Sequence, residues 1–170
     1  MLEIKLYNLD RSYANHLESV DNNLSIVSSE GKKNRPFVGV LISVDNKFYI
    51  APLTSPKEKH KKMKNNIDFI KIDSGNLGAI NLNSMVPVND SVCTKIDIDS
   101  IDDTKYKTLL NNQIIWLRKN KNTIINKADS LYRKYKTNTL PSNIKSRCCN
   151  FLELEKQLDN WNNRYNGYSR

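Results

Sequence analysis

Two apolar, β-branched runs split by one polar dipeptide constrain this chain more than any other feature. They are residues 37–44 (FVGVLISV) and 47–53 (KFYIAPL), with Asp45 and Asn46 between them. A two-residue hairpin turn needs positive φ at both central positions, and Asp and Asn tolerate that region. The runs are therefore predicted to pair antiparallel. Shorter strands are expected over residues 67–72, 77–82, 85–88 and 92–98. Ahead of the hairpin, Asp10 is placed to cap a short helix with Tyr13, Leu17 and Val20 on one face. Residues 24–34 are polar with one glycine and read as a loop.

The rest of the chain has helical periodicity. Residues 105–119 put Tyr106, Leu109, Leu110, Gln113, Ile114 and Leu117 on one side, and residues 123–136 do the same with Ile124, Ala128, Leu131 and Tyr135. A last helix begins after Asn150, a predicted N-cap with Glu153 three residues on, and carries Phe151, Leu154, Leu158 and Trp161 on its apolar stripe. Residues 137–146 contain Pro141 and read as a loop. Strands grouped ahead of helices imply an α+β domain with an antiparallel sheet, not alternating βαβ units. With 170 residues, no internal repeat and no linker, a single domain over 1–170 is expected.

Charge now narrows function. The chain carries 27 Lys and Arg against 18 Asp and Glu, a formal charge of +9, which favours polyanionic partners. The excess is concentrated: residues 104–152 hold eleven basic residues and one acid, Asp129, whereas Asp90, Asp97, Asp99, Asp102 and Asp103 precede them with Lys95 alone. Arg118, Lys119, Lys121 and Lys134 are accordingly candidates for phosphate contact. Trp116, Tyr132 and Tyr135 lie among these cations but fall on or beside apolar helical positions, which suits core packing better than base stacking. No apolar run approaches the length of a membrane span, the N-terminus lacks a signal-peptide core, and Cys93, Cys148 and Cys149 have neither zinc spacing nor a good disulfide pairing. A soluble, cytoplasmic protein is expected.

Phosphate-loop, dinucleotide, zinc-protease and serine-hydrolase motifs are all absent. His16 and His60 are the only histidines, so no histidine metal cage can be built, and Asp102 and Asp103 sit where a helix start calls for a cap. One dense segment remains, residues 52–62 (PLTSPKEKHKK), directly after a strand. Thr54 and Ser55 offer hydroxyls, and Lys57 a fixed positive charge, for a phosphoryl group gaining negative charge. Pro52 and Pro56 restrict the backbone on either side. By local chemistry alone the segment also reads as an ordinary surface turn.

The blocks around that segment resemble a family. Residues 35–40 (RPFVGV) and 48–57 (FYIAPLTSPK) with His60 are similar to the core signature of the type III toxin–antitoxin toxins, the ToxN/AbiQ group. Residues 76–82 (NLGAINL) with 85–88 (MVPV), then Tyr106, Lys107, Leu110, Gln113 and Ile114, and finally residues 149–151 (CNF) with Leu154 and Glu155, follow in the same order. The resemblance runs from about Leu6 to Leu158. It implies a compact, strongly twisted, barrel-like antiparallel sheet flanked by helices, similar to the MazF/Kid toxins. It also implies a metal-independent endoribonuclease, without cofactor, that acts in growth arrest or abortive phage infection. Its partners would be cellular or phage RNA as substrate and a repetitive, pseudoknotted antitoxin RNA, processed by the toxin and bound in a closed assembly. Position by position, Thr54, Ser55 and Lys57 match the active-site loop, Arg35 a basic position before it, and His60 a histidine just after it. Some members carry a tyrosine upstream where residues 28–34 hold no aromatic; Lys32 or Lys33 would supply charge there.

A mechanism follows. RNA brings its own nucleophile, the 2′-hydroxyl, so the protein need only fix the geometry and neutralise charge. Lys57 and Arg35 would stabilise the phosphorane-like state, with Thr54 and Ser55 holding its oxygens. His60 is a candidate proton donor or acceptor, or else an exposed histidine in a lysine-rich loop. Lys59, Lys61 and Lys62 extend the positive charge beside the loop. Two rival classes remain at this point: a non-catalytic RNA-binding module and a protein-interaction factor.

Overall fold

The computed structural model describes residues 3–24 and 38–167. Among these, strands β1 (Leu6–Leu9), β2 (Val38–Val44), β3 (Lys47–Thr54), β4 (Phe69–Lys71), β5 (Ala79–Asn81), β6 (Val86–Pro87) and β7 (Cys93–Lys95) form one antiparallel sheet. The helices are α1 (Arg11–Val20), α2 (Glu58–Lys62), α3 (Thr104–Lys119), α4 (Lys121–Lys136), α5 (Ser142–Lys145) and α6 (Phe151–Gly167). The α+β class, with a helical C-terminal half, is as expected. The loop expected over residues 24–34 lies, from residue 25 on, outside the described residues.

The hairpin forms as the sequence dictates. Asp45 and Asn46 adopt φ of 50° and 61°, and Val44 pairs with Lys47, so the turn has two residues with positive φ at both. Strand order is β4-β5-β3-β2-β1-β7, and the path is open, ending on β4 and β7. Strand β3 is where the sheet forks. Along one edge it pairs with β2; along the other, Tyr49 and Ile50 pair with β6, whereas Leu53 and Thr54 pair with Ile80 and Ala79 of β5. The end of β3 is thus held by β5 as the chain leaves the sheet.

Helix α1 starts where Asp10 accepts the Tyr13 N–H at 2.8 Å, a cap worth about 1 kcal/mol. It buries Tyr13, Ala14 and Leu17, and the Tyr13 hydroxyl donates to the Pro87 carbonyl at 2.7 Å. Val20 turns outward, 38 % exposed, so the expected apolar face stops at Leu17. Asp103 caps α3 through the Tyr106 N–H, and Asn150 caps α6 through the Glu153 N–H. The segment expected as a loop over residues 137–146 contains the one-turn helix α5, entered from Pro141, whose fixed φ suits a helix start.

Helices α3, α4 and α6 bury Leu117, Ile124, Leu131, Phe151 and Leu154 with the apolar residues of the sheet in one core. Tyr132 and Tyr135 pack on Phe151, Tyr132 also meets Tyr49 edge-on, and Trp116 packs against the core from a half-buried position. Core packing therefore accounts for all three aromatics of the basic region. Glu155 ties α6 to the sheet by accepting the Tyr49 and Tyr132 hydroxyls, each at 2.7 Å, and Lys47 at 2.9 Å. A second tie joins the start of β4 to the chain before α6. Asp68, wholly buried, accepts two bonds from Arg147 and one from Asn83, and Cys149 N–H reaches the Asn83 carbonyl.

Candidate active site and RNA surface

Thr54 is the last residue of β3 and Ser55 the first beyond it, so the fork of the sheet presents residues 54–57 at a strand end. Ser55 is half-buried and Lys57 exposed. Among the described residues, neither the Ser55 hydroxyl nor the Lys57 ammonium has a hydrogen-bond or ion-pair partner, so both can engage an anion. Thr54 differs: its hydroxyl lies 3.5 Å from both His60 Nε2 and the Ala79 carbonyl oxygen.

His60 is not an exposed histidine. It is 2 % exposed, beneath the loop and beside the Phe69 ring. Its Nδ1 accepts the Lys57 backbone N–H at 3.2 Å, while its own backbone N–H donates to the Lys57 carbonyl at 2.9 Å. Burial, then the charges of Lys59 and Lys57, hold its pKa below that of an ordinary imidazole.

Two glycines support this arrangement from the turn between β4 and β5. Gly75 and Gly78 have φ of 92° and 99°, a region that L side chains avoid. A Cβ on Gly75 would lie 2.8 Å from the His60 carbonyl carbon, and one on Gly78 only 1.9 Å from the Thr54 carbonyl oxygen. The turn is held in its own place by Gln113 of α3, 2 % exposed, whose side-chain amide donates to the Leu77 carbonyl at 2.8 Å. Sequence reading passed over Gly75, Gly78 and Gln113 as site residues. The signal was there for Gln113, a polar side chain on the apolar face of its helix.

Residues 5–159 match the family of toxin ToxN of type III toxin–antitoxin systems. The chain belongs to that family. It is 27 % identical over 166 residues to the endoribonuclease ToxN of Bacillus thuringiensis subsp. kurstaki, covering 94 % of this chain and 85 % of that one. Among solved structures it resembles one from work on selective toxin inhibition by a non-coding RNA pseudoknot in type III systems, with a TM-score of 0.78, 26 % identity and coverage of 95 % and 99 %. A second, from work on a processed non-coding RNA that regulates a bacterial antiviral system, gives a TM-score of 0.73 at 26 % identity, with coverage of 91 % and 97 %. Membership in the ToxN family and the fold of its solved relatives agree.

The structure brings Thr54, Ser55, Lys57 and His60 together, with Lys59, Lys61 and Lys62 on the short helix that follows. Lys59 and Lys62 are exposed, and Lys61 pairs with Glu58 at 3.2 Å. Arg35, Lys32 and Lys33 lie outside the described residues. The cations of the C-terminal half are dispersed. Arg118 is engaged with the segment ahead of β1, through Glu3 at 3.0 Å and the Ile4 carbonyl at 3.3 Å. Lys119 and Lys134 are exposed, Lys121 is half-buried, and Arg147 is committed to Asp68. Lys127 reaches the Asn66 carbonyl at 3.3 Å, which sets the middle of α4 beside the lysine-rich segment after the loop. The turn of α4 carrying Lys134 lies instead toward the β2–β3 turn, where Lys136 pairs with Asp45. That is the far end of β3 from Thr54, roughly 25 Å away for a strand of this length. No helix among the described residues is long and apolar enough to cross a membrane.

Proposed function

We propose that this protein is a cytoplasmic, metal-independent endoribonuclease toxin that cuts RNA by attack of the 2′-hydroxyl on the adjacent phosphate. A repetitive, pseudoknotted antitoxin RNA, which the toxin processes and then binds in a closed assembly, neutralises it. Its biological role is growth arrest or abortive phage infection. The observation that carries the reading is the loop at the end of β3. It offers a hydroxyl at Ser55 and an ammonium at Lys57, neither engaged by a described residue, on a backbone braced by Gly75 and Gly78. Donors fixed in advance, where negative charge will develop, lower the barrier because they need not reorganise during the reaction. Lys57, with Arg35, neutralises the phosphorane-like state, and Ser55 and Thr54 hold its oxygens. RNA supplies the nucleophile itself, the 2′-hydroxyl beside the scissile phosphate, so these groups need only hold the geometry and neutralise charge. Purified protein incubated with cellular RNA tests the reading. Discrete cleavage is expected, whereas RNA retained but uncut would leave a non-catalytic RNA-binding protein.

A further inference from the structure

We propose that His60 is a positioning residue, holding the Thr54–Lys57 loop in its active shape by accepting the Lys57 backbone N–H at Nδ1, and that it does not carry the proton of the reaction. The proposal rests on the reading of this loop as a ribonuclease site. Helix α2 has only five residues, too few to hold a helical turn by itself. What closes its first turn is the reciprocal pair between Lys57 and His60: N–H to Nδ1 at 3.2 Å one way, N–H to carbonyl at 2.9 Å the other. Lys57 is thereby fixed at its backbone while its side chain is left to meet the substrate.

The same bond fixes the tautomer. A nitrogen that accepts a hydrogen bond carries no proton, so the neutral ring is protonated at Nε2. Nε2 faces the Thr54 hydroxyl at 3.5 Å, and that hydroxyl lies as far from the Ala79 carbonyl, so the ring also orients Thr54. Both ring nitrogens are thus turned toward the loop itself. A general acid or base must reach the reacting oxygen directly or through one water, and a ring 2 % exposed beneath the loop has no such face. The groups on the ring are the Thr54 hydroxyl of β3 and the Phe69 ring of β4, neither of which titrates; the glycine turn meets the His60 backbone at Gly75. The charges acting on it are those of Lys59 and Lys57, and with burial they favour the neutral ring. Protonation at Nδ1 would set a donor against the Lys57 N–H and open the clamp.

The experiment exploits a coincidence of covalent geometry. The Oδ1 of asparagine and the Nδ1 of histidine branch from the same position on the side chain, so His60→Asn keeps an acceptor for the Lys57 N–H and deletes Nε2. The full-length variants His60→Asn, His60→Gln and His60→Ala are assayed for kcat and KM across pH on a fluorogenic RNA that the wild-type protein cuts. His60→Asn should keep kcat within about tenfold of wild type and lose the fall in activity at acid pH. His60→Ala and His60→Gln should lose roughly a hundredfold in kcat, the scale of a misplaced reactive group. A folded His60→Asn as inactive as His60→Ala would overturn the proposal in favour of proton transfer. If His60→Asn does not fold, ring-nitrogen NMR of the wild-type protein decides: Nδ1 unprotonated at neutral pH is expected, and a proton on Nδ1 would overturn it. Wild-type protein that cuts no RNA would count against the ribonuclease reading instead, while the NMR result would still judge the clamp.

Discussion

Gly78 stands so close to Thr54 that a single methyl group at its α-carbon would come within 1.9 Å of the Thr54 carbonyl oxygen. The contact is between backbones, with no flexible side chain to give way, and φ at Gly78 is 99°. Gly78→Ala should therefore cost on the order of 3 kcal/mol, from overpacking together with an unfavourable φ. Chemical denaturation measures the loss. RNA cleavage at a temperature where the variant stays folded should fall as well, because relief of the clash must move Thr54.

Ser55→Ala and Lys57→Ala should each abolish growth arrest on expression while leaving stability within about 0.5 kcal/mol of wild type, as for surface substitutions away from packing. Ser55 is half-buried and Lys57 exposed, and neither belongs to the core. The two readouts are colony formation and thermal melting. Full toxicity in both variants would remove the loop from the active site.

Arg147 should matter for stability more than for RNA. Burial alone would push the Asp68 carboxyl up, but the bonds from Arg147 and Asn83 outweigh it and hold it below the usual carboxylate range. A depressed carboxylate stabilises the fold above its unfolded pKa, near 4, and loses that contribution as pH falls through the folded value. Arg147→Ala should cost about 2 kcal/mol or more at pH 7, less than a fully buried pair because the Arg147 side chain is 44 % exposed. Urea titrations at pH 7 and pH 3 should show the difference between variant and wild type shrinking in acid.

Binding of RNA should weaken steeply with salt, each phosphate contact contributing roughly 0.7–0.9 to the log–log slope. Reversing Lys119, Lys121 and Lys134 to Glu should flatten it. Because the part of α4 carrying Lys134 lies toward the β2–β3 turn, a second triple, Lys59, Lys62 and Lys64 to Glu, separates the surfaces. The first set should impair antitoxin binding more than cleavage of short RNA, and the second should impair both. Filter binding at several salt concentrations and a cleavage assay provide the numbers. An unchanged slope in the first set would confine the RNA surface to the loop side.

The products report the nucleophile. Attack by the 2′-hydroxyl leaves a 2′,3′-cyclic phosphate and a 5′-hydroxyl, and the reaction should proceed in excess EDTA. An RNA with one 2′-deoxyribose on the 5′ side of the scissile bond should bind and remain whole. Mass spectrometry of the fragments settles the point: 5′-phosphate ends, or activity that chelation removes and magnesium restores, would require a different mechanism.

How much of this was legible without coordinates depended on the range of the interaction. Asp45 and Asn46 announced their turn because positive φ is a property of those two residues, and Asp10, Asp103 and Asn150 announced helix starts for a similarly local reason. Strand β1 went unread: in LYNL the ends are buried and the middle pair half-buried, so no alternation marks it, and it exists through its partners β2 and β7. Residues 85–88 shrank to Val86–Pro87 at their start because the Met85 N–H is taken by the preceding turn, bonding the Leu82 carbonyl at 3.2 Å. At the site, Thr54, Ser55 and Lys57 were legible as a cluster of chemistry in sequence. The glycine brace was not, because Gly75 and Gly78 act on the loop only through contacts that folding creates, and Gln113 showed only as a polar residue on an apolar helix face. The burial of His60 escaped for the same reason, its neighbours in sequence being lysines. Arg147 counted as one more cation until Asp68 was found against it.

The brace has a temporal side. Synthesis completes the loop at His60, but the helix that steadies the Leu77 carbonyl through Gln113, and the Phe151 on which Tyr49 rests, belong to the half of the chain made afterwards. At about 5–20 residues per second, the supports emerge seconds after the residues they support. On that order of synthesis the loop exists as a peptide before it is held as a site, and its supports arrive only when Gln113 and Phe151 have joined the fold.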